Sequence, residues 1–167
     1  MTTEASARIL RQLADCYAEL VISTLGAQLV SVVLFGSVAR GDASTTSDID
    51  LLIIAKDLPA GQFARKRILA PADAAFEDEL ARTERCGVAT RLARIVRTPA
   101  EAERVIPLYL DMTEDARLLY DREGFFARVL DRVRTSLTRL GSRRVWQGKT
   151  WYWDLKPDFK RGDVIEI

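Results

Sequence analysis

The sequence predicts an α/β fold of the α+β kind: a small mixed β-sheet flanked by helices, with a helical C-terminal part and an aromatic tail. Three observations predict it. Two apolar, β-branched runs, Leu29 to Phe35 and Ile49 to Ala55, are hydrophobic on both faces, as interior strands are. Amphipathic stretches of helical length precede and follow them. The chain has 167 residues and 48% hydrophobic content, enough for one domain with a proper core.

The elements follow in order. From Thr3 to Leu25, Ile9, Leu13, Tyr17, Leu20 or Val21, and Thr24 recur at helical spacing, and Gly26 fits a C-cap. After the strand Leu29 to Phe35, Ser37 to Arg40 suits a short helix that Gly41 ends. Ile49 to Ala55 is the second strand. Pro59-Ala60-Gly61 is a turn, followed by helix to about Arg85 with a break near Pro71. Val88 to Val96 reads as a third strand despite Arg91 and Arg94. Thr98-Pro99-Ala100-Glu101 is a helix start: Thr98 as N-cap, Pro99 at the first helical position, Glu101 placed for a capping box. Further helices are expected from about Pro107 to Leu119 and from Gly124 to Leu140. The latter lines up Phe126, Val129 or Leu130, Val133, Leu137 and Leu140. Gly141 to Ile167 is turn-rich and aromatic.

Composition removes several function classes. No apolar stretch approaches the roughly 20 residues that span a membrane, and the N-terminal residues lack a basic-then-apolar leader layout. Cys16 and Cys86 have no metal-ligand spacing and read as reduced thiols, so the expected compartment is cytoplasmic. There is no histidine, which excludes a His-ligated metal, a Ser-His-Asp triad and a His general base. Catalysis, if any, runs on carboxylates, hydroxyls, Lys, Arg or a bound hard metal. A net charge of +1 argues against a dedicated duplex nucleic-acid binder. Basic residues nevertheless gather near the C-terminus: Arg139, Arg143, Arg144, Lys149, Lys156, Lys160 and Arg161.

Residues 35 to 51, Phe-Gly-Ser-Val-Ala-Arg-Gly-Asp-Ala-Ser-Thr-Thr-Ser-Asp-Ile-Asp-Leu, carry the chemistry. A strand running into Gly36-Ser37 at a helix start offers backbone N–H groups to an anion, and glycine allows close approach. Ser37 can add a hydroxyl contact, or it can simply cap the helix. Asp48 and Asp50 lie two apart, so on a strand both carboxylates share a face. Such a pair is costly unless a hard cation such as Mg²⁺ sits between the two, with a triphosphate completing the oxygen shell. The alternative places both in a solvated loop; the Gly-Ser element eleven residues upstream favours the metal. Arg40 can pair with a phosphate, with Asp42 or with Asp48. Ser47 shapes the turn into the strand or touches nucleotide.

At these residues the chain resembles the polymerase-beta-type nucleotidyltransferase superfamily, through Gly36-Ser37-Val-Ala-Arg40-Gly41 followed by Ser47-Asp48-Ile-Asp50-Leu. In size it is similar to the minimal nucleotidyltransferase branch, whose members often pair with small helical HEPN proteins as antitoxin and toxin. The resemblance implies a nucleotidyltransferase-like fold, with Gly36 and Ser37 on the nucleoside triphosphate; we take Arg40 and Ser47 as further nucleotide-binding candidates. It makes Asp48 and Asp50 the catalytic ligands of Mg²⁺, in a one- or two-metal site. It also implies in-line attack on the α-phosphate with pyrophosphate leaving; the leading expectation is transfer of AMP from ATP to a hydroxyl. We accordingly take residues 1–120 as the nucleotidyltransferase domain and 121–167 as a helix and aromatic, basic tail packed on it.

One departure bears on catalysis. Active members carry a third carboxylate on a later strand, and Val88 to Val96 contains no acid. Asp111, Glu114 or Asp115 could reach the site from a helix, or form a solvated helix face. Without a third acid, the alternative is a catalytically degenerate antitoxin or nucleotide-binding partner. Trp146, Trp151, Tyr152 and Trp153 stand beside the basic cluster. They could fold back over the sheet, seal a subunit contact, or stack a base or single-stranded nucleic acid.

Overall fold

The computed structural model describes residues 2–148 and 150–167; Met1 and, from the basic cluster, Lys149 lie outside the described residues. A long helix α1 (Thr3–Leu25) leads into strand β1 (Leu29–Phe35), a one-turn helix α2 (Gly36–Arg40) and strand β2 (Ile49–Ala55). Helices α3 (Gln62–Arg67) and α4 (Ala70–Arg85) carry the chain to β3 (Leu92–Arg97). Short α5 (Pro99–Ala102), α6 (Pro107–Asp115), β4 (Arg117–Asp121) and α7 (Phe125–Leu140) follow. A ribbon of β5 (Arg143–Gln147) and β6 (Thr150–Asp154) comes last. The four-stranded sheet has the order β3-β2-β1-β4 and is mixed: β1 is antiparallel to β2 and β4, and β2 is parallel to β3.

Both sheet faces are covered, which is why β1 and β2 are apolar on both faces apart from Ser31 and Asp50. Val32, Leu34, Leu51 and Ile53 pack with α1 and α4 through Leu10, Leu13, Tyr17, Val21 and Phe76. Val33, Leu52 and Ile54 face the opposite layer, where α6 and α7 supply Tyr109, Met112, Phe126, Val129 and Val133. Asp121 ties that layer together. It accepts the Ser31 hydroxyl of β1 at 2.6 Å and the backbone N–H groups of Phe126 and Ala127 at 2.9 and 3.0 Å, capping α7.

Several expectations need correction. The buried stripe of α1 runs through Ala7, Leu10, Leu13, Ala14, Tyr17, Ala18, Val21 and Leu25, leaving Ile9, Leu20 and Thr24 only partly covered. The third strand begins at Leu92: Ala89 and Thr90 bond to Thr45 and Ser47 of the loop before β2, and the Arg91 carbonyl accepts the N–H of Ile49 at the strand's start. The helix from Pro107 ends at Asp115, and residues 117–121 form a strand paired with β1. The aromatic tail is a β-ribbon with Trp146 opposite Trp151 and Arg144 opposite Trp153. Among the described residues, no helix is long and apolar enough to cross a membrane. Cys16 and Cys86 are free thiols.

Candidate functional site

β1 delivers the chain into α2 with Phe35 at the N-cap, and no side chain caps the helix start. Ser37 is the second helical residue, so the capping alternative for its hydroxyl does not hold. Its carbonyl instead accepts the N–H groups of Gly41 and Asp42 at 2.9 and 3.1 Å. Gly36 has φ +73°, a conformation that glycine adopts at least cost. A Cβ at this position would overlap Oδ2 of Asp50 and stand 3.2 Å from its Cγ. The room left by the missing Cβ is therefore filled by the Asp50 carboxylate.

The other end of α2 is held from a distance. Arg11 on α1 donates through Nε to the Val38 carbonyl at 3.0 Å and through Nη2 to the Ala39 carbonyl at 2.9 Å. These bonds satisfy last-turn carbonyls and fix the helix on its support. Gly41 then leaves in the left-handed region, with Arg11 Nη2 occupying the space its Cβ would need.

Asp48 and Asp50 arrive differently. Asp50 is the second residue of β2, paired with Phe35 of β1 and Ala93 of β3. Asp48 lies one residue before the strand, exposed, outside the Ile49–Ala55 bounds expected for it, so only Asp50 of the pair stands on the strand itself. The loop ahead of it is zipped down. Ser47 Oγ accepts the Ser44 N–H at 2.9 Å, its carbonyl accepts the Thr90 hydroxyl at 2.8 Å, and Ile49 N–H bonds to the Arg91 carbonyl at 2.8 Å. The Ser47 side chain thus shapes the loop that presents Asp48.

Burial raises the Asp50 carboxyl above its ordinary range, the negative charge of Asp48 raises it further, and Arg40 acts in the opposite sense. A divalent cation between the carboxylates would relieve both penalties. Two hard oxygen donors beside open clefts suit Mg²⁺, which takes one or two carboxylates with water and phosphate oxygens. A cleft of about 510 Å³ holds Asp50 and Lys66, and one of about 600 Å³ holds Asp48 and Arg91.

No group of three or more acids, cysteines or histidines among the described residues could hold a metal. The strand residue level with Asp50 is Ala93, so the side chain in that position is a methyl group. Arg94 is committed elsewhere: it donates to Tyr17 Oη at 2.8 Å and pairs with Asp73.

The remaining acids divide. Glu114 is exposed. Asp111 and Asp115 do reach the turn, lining a cavity of about 140 Å³ with Gly36 and Arg40. Both are already engaged by the ribbon. Trp151 and Trp153 donate their indole N–H groups to Asp111 Oδ1 at 2.8 and 2.9 Å, and Arg144 Nη2 reaches Asp115 Oδ2 at 3.0 Å. Sequence reading missed Arg11, Thr90 and Arg144 as partners of the site, because their contacts are made across the fold.

Residues 16–117 match the family described as "Nucleotidyltransferase domain". Over 144 residues the chain is 27% identical to a provisionally named protein adenylyltransferase of Methanocaldococcus jannaschii, covering 86% of this chain and 94% of that one. A provisionally named nucleotidyltransferase structure from Sulfolobus solfataricus is 25% identical at a TM-score of 0.45, over 74% of this chain and 91% of that one. A toxin-antitoxin structure solved with AMP-PNP is 15% identical at a TM-score of 0.46, over 77% and 92% of the two chains.

Proposed function

The chain belongs to the nucleotidyltransferase-domain family, and from that premise we propose that it transfers a nucleoside monophosphate, AMP from ATP, to a hydroxyl on a partner protein. The observation that carries the reading is the meeting of two elements: the Gly36 turn and the Asp48–Asp50 pair, packed so closely that Asp50 fills the space beside Gly36. A protein acceptor is supported by the name of the Methanocaldococcus jannaschii relative. The partner we favour is the small helical HEPN-type protein implied by the family resemblance.

In this reading the backbone of Gly36 and Ser37 holds the triphosphate, with Arg40 on a phosphate oxygen. Asp48 and Asp50 would hold Mg²⁺, which when bound would neutralise phosphate charge and polarise the reacting phosphoryl group. The acceptor oxygen bonds to the α-phosphorus, its proton passes to solvent or a nearby base, and pyrophosphate departs. Ser47 acts through loop shape. Residues 1–120 form the transferring unit, and 121–167 complete the wall beside Arg40.

A second reading, a degenerate nucleotide-binding antitoxin or partner protein, is favoured by Ala93 beside Asp50 and by the engagement of Asp111 and Asp115 with the ribbon. Thermal melting with each nucleoside triphosphate, in Mg²⁺ or chelator, tests the site on wild type, Asp48→Ala and Asp50→Ala. A ligand that binds only the folded state raises the midpoint. The proposal expects a Mg²⁺-dependent rise with ATP that both variants lose, together with loss of label transfer from ATP to the co-expressed partner. Binding without transfer would select the second reading, and transfer persisting in either variant would sink the assignment of the pair.

A further inference from the structure

The geometry points to Trp151 as a positioning residue for Arg40, holding the guanidinium ready for the phosphates; the inference rests on the nucleotidyltransferase reading above. Arg40 ends α2, three residues after Ser37. Its one polar contact among the described residues is a 3.3 Å approach of Nε to Asp42, which is itself 59% exposed. An ion pair so open to water holds a long side chain weakly. Yet the Arg40 side chain is only 23% exposed. The cover comes from the ribbon: Arg40 Cζ stands 5.0 Å from the centroid of the Trp151 ring.

Trp151 is itself firmly held. Its indole N–H is bonded to Asp111, and Arg144 Cζ lies 4.9 Å from the same ring while bonded to Asp115. Aromatic contact engages a guanidinium through its π-face and leaves its in-plane N–H donors free. Those donors are the ones that bind phosphate in a fork. A carboxylate in the place of Trp151 would consume them. The ring therefore orders Arg40 without neutralising it, and Arg40 opens on the cavity that also contains Gly36.

Trp153 provides an internal control. It donates to the same Asp111 oxygen, yet its ring lies beside Arg144, not Arg40. The test is calorimetric titration of the full chain with ATP and Mg²⁺, using wild type, Trp151→Leu, Trp151→Phe, Trp153→Phe, Arg40→Ala and the double variant Arg40→Ala/Trp151→Leu. We expect Trp151→Leu to weaken ATP about fivefold, the size of one aromatic contact with a cation. Trp151→Phe, which keeps a ring, and Trp153→Phe should bind as wild type does. In the Arg40→Ala background, Trp151→Leu should cost nothing more.

Equal losses in the two backgrounds would overturn the inference, as would weakened binding in Trp151→Phe matching that in Trp153→Phe, the mark of a strut acting through Asp111. If Trp151→Leu does not fold, the two phenylalanine variants decide. Wild type that fails to bind ATP overturns the nucleotidyltransferase reading and this inference with it. Wild-type binding that Trp151→Leu leaves unchanged overturns this inference alone.

Discussion

Gly36 and Asp50 compete for one volume: the carboxylate of Asp50 lies where any other residue at position 36 would carry its Cβ. Gly36→Ala is therefore expected to destabilise the fold by about 2 kcal/mol, combining left-handed backbone strain with steric overlap. Adding Asp50→Ala removes the overlap but not the strain. The double variant should recover about 1 kcal/mol relative to the sum of the singles in denaturant melts. Strict additivity would mean that the two residues do not touch.

Asp50 should cost the metal-free protein stability. Burial, and then the charge of Asp48, raise its carboxyl above the ordinary range. A carboxyl whose folded pKa exceeds its unfolded one imposes a penalty that grows as pH rises from the unfolded value, about 3.9, through the folded one. In chelator at pH 7.5, Asp50→Asn should melt above wild type, with the gap narrowing on acidification. Saturating ATP and Mg²⁺ should stabilise wild type but not the variant. A metal-free variant melting below wild type would contradict the electrostatic account.

Ala93 lies level with Asp50 on the adjoining strand. Ala93→Asp adds a third negative charge and should lower the midpoint in chelator, by about 1 kcal/mol of repulsion. Mg²⁺ should then raise that midpoint further than it does in wild type. An unchanged response to Mg²⁺ would mean that position 93 is remote from any bound cation.

Arg11 holds α2 through two carbonyls. Arg11→Met should cost about 1.5 kcal/mol in chemical denaturation and weaken ATP binding, although the residue lies on another helix. Stability lost with ATP affinity intact would limit Arg11 to a purely structural role.

Much of this arrangement could be read from local sequence. The bounds of α1, β1 and β2 follow from unbroken apolar patterns, and the Thr98 capping box forms as expected. The Gly36–Asp50 turn was legible because one short segment carries both halves. β4 was not, because Leu118 and Leu119 continue the apolar pattern of α6 with no glycine or proline between; pairing with β1 sets the boundary. The ribbon hid among turn residues for a similar reason, its strands being short and only partly covered. The partners of the turn were illegible from spacing. Arg11 stands 27 residues before Val38, and Trp151, far along the chain from Arg40, meets it only through the tertiary fold.

The chain has three tryptophans, Trp146, Trp151 and Trp153, and all of them stand in the ribbon, whose Trp151 lies against Arg40. Its intrinsic indole emission therefore watches the wall of the site and is nearly blind to the helices and the four-stranded sheet, whose backbone secondary structure far-ultraviolet dichroism follows instead. Two probes that usually serve as interchangeable monitors of unfolding here report on different parts of the molecule. Where their transitions separate, the earlier fluorescence change measures the ribbon leaving α6, and the interval between them measures how independently that wall can move.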